Sequence, residues 1–428
     1  MSPISVRLGL ATFVVCAALA LLAYAPAQTL PFISDDYLQI QLSRDFVSFE
    51  GLRNLASDAL YRCRATSLFV TRATEAAFGI ETKAFNLSSL AIHILNSGLV
   101  MLLGSWRFIG WRLAAIAAML FAVTEGHHEA VIWYAALPEL LVFTFVLGAF
   151  LLWIRWLETC RHWYWFASFA CYLLALLSKE SGVCVVGLIV LTVFVEGRHR
   201  RRLLLASVPF AITAAMYSLS IYAARESHLH FNDGTFSLRA PFLITLITSW
   251  ARMLWVWGLA ALLLIGATQP RRISLLGFIA GWWIIVLLPY SFLTYMQRVP
   301  SRHTYLASVA LALLLAHALI GAWRKTLRAG AALRFAVATT VVVFLLHNVG
   351  YLWTRKHRQF RERAEVTESL LRAIRSTAGW VDVRCVPINP ELARVAVSVR
   401  EPEAFRRTRW SNARGGCTDL YIVPLKRP

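Results

Sequence analysis

The run LLVFTFVLGAFLLWIRW, residues 140–156, carries a single charge, Arg155, in seventeen positions. A bilayer core about 30 Å thick takes roughly 20 apolar residues per helix, so this stretch reads as one crossing. The same texture recurs at Val6–Tyr24, Ala84–Gly104, Leu113–Val123, Trp163–Leu177, Gly182–Val195, Leu203–Tyr222, Phe242–Ile265, Leu275–Leu293, Tyr305–Trp323 and Phe335–Trp353. That makes about eleven spans, of which Leu113–Val123 and Gly182–Val195 are short. The whole chain agrees with these local readings. Of 428 residues, 58% are hydrophobic and 15% charged, and the mean hydropathy is +0.59. Soluble domains carry roughly 25% charged residues, so a cytosolic enzyme, a disordered chain and a secreted disulfide scaffold are all excluded. The first run ends in an Ala-rich stretch, Ala23–Ala27, of the kind signal peptidases cut, but its length favours an uncleaved helix.

The formal net charge of +20 invites a nucleic-acid reading. Loop position explains it better, because cytoplasmic loops of membrane proteins collect Lys and Arg. With a cytoplasmic N-terminus, the loops on that side hold fifteen Lys and Arg, and the short loops opposite hold five. No nucleic-acid partner is expected. An odd number of spans leaves two large segments on the far side: the loop Ala25–Lys83 and the tail from about Thr354. The expected architecture is an all-α polytopic membrane module over residues 1–353, with a small C-terminal α+β extramembrane domain over 354–428. The tail opens with a charged helical run, Arg355–Arg375, and continues in short alternating stretches broken by Pro387, Pro390 and Pro402. Its Cys385 and Cys417 are open to two readings, a disulfide or two free thiols. In the first loop, Phe46, Phe49, Leu52 and Leu55 recur at helical spacing, as in a helix lying in the membrane interface.

Polar residues break the apolar pattern in four clusters. Asp35-Asp36 follow the first span beside aromatic residues. Desolvation and the neighbouring negative charge raise a carboxylate's pKa in such a place, which suits a general base; the plainer reading is a helix cap. Glu125-Gly126-His127-His128-Glu129 runs on to Trp133 and Glu139; its two histidines are adjacent and point in different directions, unlike the i, i+4 His pair of a zinc site on one helix. Ser178-Lys179-Glu180 sits at a tight turn between two apolar runs, where ionisable residues are costly and usually functional; a salt bridge ending two helices is the alternative. Arg298 through Tyr305, with Arg302 and His303, is again cationic. Arg62 and Arg64 in the first loop can hold an anion or face headgroups, and Arg252 stands inside a span without an evident role. All four clusters fall on the side away from the cytoplasm. Carboxylates that take a proton and cations that hold a departing phosphate suit transfer from a lipid-phosphate donor.

At these residues the chain resembles the GT-C class of membrane glycosyltransferases, in particular the protein O-mannosyltransferase-like group and the transmembrane-and-TPR mannosyltransferases. The acidic pair of their first external loop matches Asp35-Asp36. Tyr61-Arg62-Cys63-Arg64, and Phe85-Asn86 through His93 to Asn96, echo the next family stretches. Thr124 through Trp133 keeps His127, Glu129, Ala130, Val131 and Trp133 of a His-Pro-x-His-x-Glu-Ala-Val-x-Trp motif. Ser178-Lys179-Glu180 and Arg302-His303-Thr304-Tyr305-Leu306-Ala307-Ser308 complete the order. Thr124 and Glu125 replace His-Pro, Leu137 stands where Arg is usual, and no TPR array follows, which leaves mannose and the acceptor open.

The resemblance implies inverting transfer of a monosaccharide from a polyprenyl-phosphate donor to a hydroxyl of a periplasmic protein, lipid or surface glycan. Asp35 would be the general base and Asp36 its support; Lys179, Arg302 and Arg62 would hold the donor phosphate. His127, His128, Glu129, Trp133, Glu180 and Tyr305 would shape the acceptor side, with no metal and no cofactor. The setting would be a bacterial inner membrane, with the N-terminus cytoplasmic and the site and tail periplasmic. Rivals are a glucosyltransferase or aminoarabinose-type transferase acting on glycolipid, a transporter or flippase for a lipid-linked sugar, and a non-catalytic scaffold.

Overall fold

The computed structural model describes residues 3–53, 58–196, 200–226, 234–268, 272–294, 300–377, 379–410 and 413–425. Arg198, Arg271 and Arg298, which enter the charge asymmetry, lie outside them, as does Leu55; the side chains of Phe49 and Leu52 are likewise not described.

Every apolar run is helical, one of them in two pieces, but the count of eleven crossings is not confirmed. Among the described residues seven helices are long and apolar enough to cross a membrane, or eight if a bent pair counts as one span. The reason is length. Trp111–Val123 and Cys184–Glu196 have 13 residues and His162–Leu176 has 15. At 1.5 Å per residue these reach only about 20 Å. They pack closely on neighbours: His162–Leu176 forms a hairpin with Leu137–Thr159, turning at Cys160 in the left-handed region (φ 53°). The helix Leu137–Thr159 is the axis of the bundle. Its span is 72% buried, against 22% for the peripheral Arg200–Ala223. That contrast puts the most apolar surface of the chain against other helices and the rest against lipid.

The expected span Phe242–Ile265 is two helices, Phe242–Leu254 and Trp257–Thr268, bent by 74°. Between them Val256 takes φ 59°, costly for a β-branched residue. Arg252 ends the first of these helices, where it feels the charges of Glu125 and Lys356.

The first loop folds into helices Ser34–Phe46 and Ala65–Phe78. They pair through Gln39, whose amide donates to Ser67 (3.2 Å) and Thr71 (3.3 Å), and through Arg44 donating to Glu75 (2.8 Å). Phe46 is buried against Tyr61, Ala65 and Leu68 rather than turned to the interface.

The helix Ala331–Tyr351 runs through one π turn, Leu352–Lys356, into His357–Ser376. A small sheet follows. Its central strand β1 (Trp380–Val386) pairs in parallel with β2 (Thr408–Arg409) and β3 (Arg414–Gly415), and antiparallel with β4 (Tyr421–Leu425). Cys385 and Cys417 are disulfide-bonded, with Cα atoms 6.1 Å apart, which decides between the two readings of these thiols. The tail helix Pro390–Arg400 lies on Ser34–Phe46, and Arg400 donates to the Ile80 carbonyl (2.6 Å). The tail is thus docked on the first loop at the end of the bundle where the polar clusters gather.

Candidate active site

Asp35 and Asp36 open the helix Ser34–Phe46, and the 100° between consecutive helical residues sends them to different places. Asp36 is 3% exposed and points inward. One carboxylate oxygen accepts the Ile33 N–H (2.8 Å) and the other the Ala135 N–H (2.7 Å), so it ties the loop to the turn before Leu137–Thr159. Burial pushes its carboxyl up to about 7, against the pull of those two N–H groups. Asp35 is half-buried and lines a cavity, with a long contact from the Ser34 hydroxyl (3.4 Å). Burial raises its carboxyl too, against Arg363, the Ser34 hydrogen bond and Arg302.

The cavity holds about 980 Å³. Asp35, Trp133, Glu139, Lys179, Arg302 and His303 line its polar part, together with the Arg64–Glu180 pair. Leu219, Tyr222 and Leu238 on its apolar wall are themselves exposed, and so are Met216, Leu243 and Ile247 on the helices that carry or follow them. An exposed apolar face on a chain of this composition is lipid-facing, so the cavity opens sideways toward the bilayer.

Each cation of the cavity already has a carboxylate. Lys179 Nζ donates to Glu139 Oε1 and contacts His303 Nδ1 at 3.2 Å; Tyr290 donates to the other Glu139 oxygen at 2.8 Å and its ring lies 5.0 Å below the ammonium. Arg64 donates to Glu180 at 3.2 Å. Arg302 sits 3.6 Å from Glu129 through its guanidinium and donates its backbone N–H to the same oxygen (3.1 Å). Burial opposes ionisation of Glu129, but Arg302 and His128 outweigh it and hold its carboxyl below the usual range. Burial and the Lys179 ammonium keep His303 neutral. A phosphate entering here meets cations whose charge is matched, so it binds by adding to ion pairs rather than by neutralising bare charge.

The arrangement differs from the expected residue set in three ways. Arg64, not Arg62, lines the cavity. His127, His128 and Tyr305 lie behind the cavity wall: His127 bonds Ser308 (2.6 Å), His128 bonds the Glu125 carbonyl (2.8 Å) and Ser301 (3.1 Å), and Tyr305 bonds His93 (2.7 Å). Glu129 stands between, reaching the cavity only through Arg302. Glu139 and His303, named in the polar clusters of the sequence but given no role, also line the cavity, as does Tyr290, which sequence reasoning did not single out. An acid in the first turn of the most buried span was the available signal for Glu139. Trp133 forms part of the wall, and two guanidinium groups lie over its indole, Arg302 at 5.0 Å and Arg363 at 4.7 Å.

No known family profile matches the sequence, and no curated protein matches it. Solved structures do resemble it. The oligosaccharyltransferase AglB from Archaeoglobus fulgidus, in complex with an inhibitory peptide and a dolichol-phosphate, superposes with a TM-score of 0.55 at 13% identity, over 88% of this chain and 59% of that one. The apo form of that enzyme gives 0.52 at 13%, over 86% and 58%. ArnT from Cupriavidus metallidurans in the apo state gives 0.52 at 15%, over 90% and 84%. This chain therefore spans less than two thirds of the archaeal enzyme and most of ArnT. Likeness at such identity concerns architecture alone: the chain shares the fold of these two membrane enzymes.

Proposed function

We propose that the chain is a GT-C glycosyltransferase that moves a monosaccharide from a polyprenyl-phosphate donor to a hydroxyl of a periplasmic protein, lipid or surface glycan, with inversion at the sugar. The observation that carries this reading is the cavity: charged and hydrogen-bonding groups on one part of its wall, and apolar side chains running out to the lipid-facing surface on the other. A long prenyl chain fits the second part while its phosphate meets the first. That AglB is seen with a dolichol-phosphate, itself a polyprenyl phosphate, supports the donor class.

In this reading Asp35 takes the proton of the acceptor hydroxyl. It is the one of the two acids not spent on backbone N–H groups, and its raised carboxyl makes it a better base when ionised. Asp36 fixes the helix start that aims it. Lys179 and Arg302 hold the phosphate as it leaves, Arg64 takes the place given to Arg62, and His303 and Tyr290 keep Lys179 and Glu139 in register. Trp133 and Glu180 bound the space beside Asp35. His127, His128 and Tyr305 brace the wall that carries Glu129 and Arg302.

A flippase would place its polar residues at a broken helix near the bilayer midplane. The chain does have a broken helix, but Trp255 and Val256 at its break do not line the cavity. The test is transfer from a labelled polyprenyl-phosphate sugar in membranes holding the full-length protein. Asp35→Asn should lower transfer about 100-fold or more while undecaprenyl phosphate still binds. Transfer at the wild-type rate by that variant removes Asp35 from its role.

A further inference from the structure

The helix His357–Ser376 is charged along most of its length, yet it buries Phe360, and Arg363 follows one helical turn later. Phe360 is 2% exposed and meets His128 with ring centroids 6.1 Å apart. This contact sets the register of the helix across the segment from Glu125 to Trp133. Three residues later the same face places the Arg363 guanidinium 4.7 Å from the Trp133 ring centroid and 5.5 Å from that of Phe360. Trp133 is a wall of the cavity that Asp35 also lines. The C-terminal helix therefore reaches the site from outside the bundle.

Arg363 differs from the other cations there. Lys179 is matched by Glu139, Arg64 by Glu180 and Arg302 by Glu129. Arg363 makes no hydrogen bond or ion pair among the described residues and is held by its two aromatic contacts. An arginine stacked on an indole keeps its full charge while losing rotamer freedom, which makes it a fixed source of positive potential. We propose that Arg363 is the counter-charge of Asp35 and thus a positioning residue of the site, so that the C-terminal helix is part of the reaction centre.

The groups around Asp35 support this assignment. On its own helix stand Ser34 and Asp36, the latter adding a negative charge; from the segment Ser301–Thr304 comes Arg302, and from the C-terminal helix Arg363. Across the cavity, Lys179 with Glu139 and Arg64 with Glu180 are self-neutralising pairs. Of the cations acting on Asp35, Arg363 acts most strongly, and Arg302 is drawn off by Glu129. The inference rests on Asp35 as the base, and its test is chosen to stand apart from that reading.

Carbodiimides react with protonated carboxyl groups, so labelling of Asp35 across a pH series, read by mass spectrometry on the full-length protein in nanodiscs, reports its ionisation without any substrate. The labelling midpoint should move to higher pH in Arg363→Gln, stay near wild type in Arg363→Lys, and be unchanged in Arg361→Gln, which removes an exposed charge from another face of the same helix. Arg363→Met, whose stem still packs on Trp133, should repeat the Gln result and stands in if that variant is poorly folded. An unmoved midpoint in the Gln and Met variants, or an equal displacement in Arg361→Gln, overturns the proposal. In a transfer assay the Gln variant should lose kcat at neutral pH with KM kept, and regain it at higher pH. A shifted midpoint in a protein that transfers no lipid-phosphate sugar sinks the transferase reading and leaves the Arg363–Asp35 link standing.

Discussion

The Lys179–Glu139 pair allows a quantitative test of how the site is held. Both residues are buried, at 9% and 4% exposure, so each charge depends largely on its partner. Lys179→Met leaves the Glu139 carboxylate with the Tyr290 hydroxyl at 2.8 Å and His303, neither of which carries a compensating charge. Breaking a buried pair from one side costs 3–5 kcal/mol, and the retained Tyr290 bond places this variant near the lower end, about 3 kcal/mol. Glu139→Gln strands the ammonium beside His303 and the Arg64–Glu180 pair, again for about 3 kcal/mol. The double variant has no stranded charge and should cost no more than either single one, a coupling of about 3 kcal/mol. Reversible unfolding of the full chain in mixed micelles measures the three differences. Undecaprenyl phosphate binding separates the roles further: it should fall in Lys179→Met and persist in Glu139→Gln. If the double variant loses the sum of the singles, about 6 kcal/mol, the two residues do not act as a pair and the account of the polar wall fails.

Further outcomes follow from the same geometry. Asp35 must be ionised to accept a proton and its carboxyl is raised by burial, so kcat/KM should climb with pH through a midpoint above that of an ordinary aspartate; a flat acid limb would count against it. A Cβ added at Gly182 would lie 2.7 Å from the Ala175 carbonyl carbon, so Gly182→Ala should displace the turn that carries Lys179 and lower undecaprenyl phosphate affinity, measured against an unchanged helical circular-dichroism signal. The Cys385–Cys417 disulfide closes a loop with a sequence separation of 32, for which chain entropy predicts about 3–4 kcal/mol; reduction should open the tail to proteolysis while the helical bundle stays resistant.

Apolar run length made the membrane class plain from composition alone, because no arrangement of 15% charged residues covers a soluble surface of this size. It did not fix where each helix ends. Trp111–Val123 and His162–Leu176 are as apolar as the longer helices but have only 13 and 15 residues, and both pack closely on neighbouring helices. The break at Val256 was hidden for the same reason: nothing in Leu254-Trp255-Val256-Trp257 is a helix breaker, and the left-handed turn there is imposed from outside.

The site divides along similar lines. Sequence placed Asp35, Trp133, Lys179, Glu180 and Arg302 as polar interruptions of apolar runs, and charge asymmetry gathered them on one side, because hydrophobicity and loop charge are properties of segments. Which of two adjacent residues faces the cavity is a property of helix phase and contact. That is why Asp36 proved to be tied to Ile33 and Ala135, why Arg64 stands where Arg62 was expected, and why His127, His128 and Tyr305 lie behind the wall. The pairing of Lys179 with Glu139, 40 positions away, and the arrival of Arg363 over Trp133 from the tail depend on long-range packing of whole helices. Segment chemistry is written in local order along the chain; the matching of charges across a cavity exists only once distant helices have met.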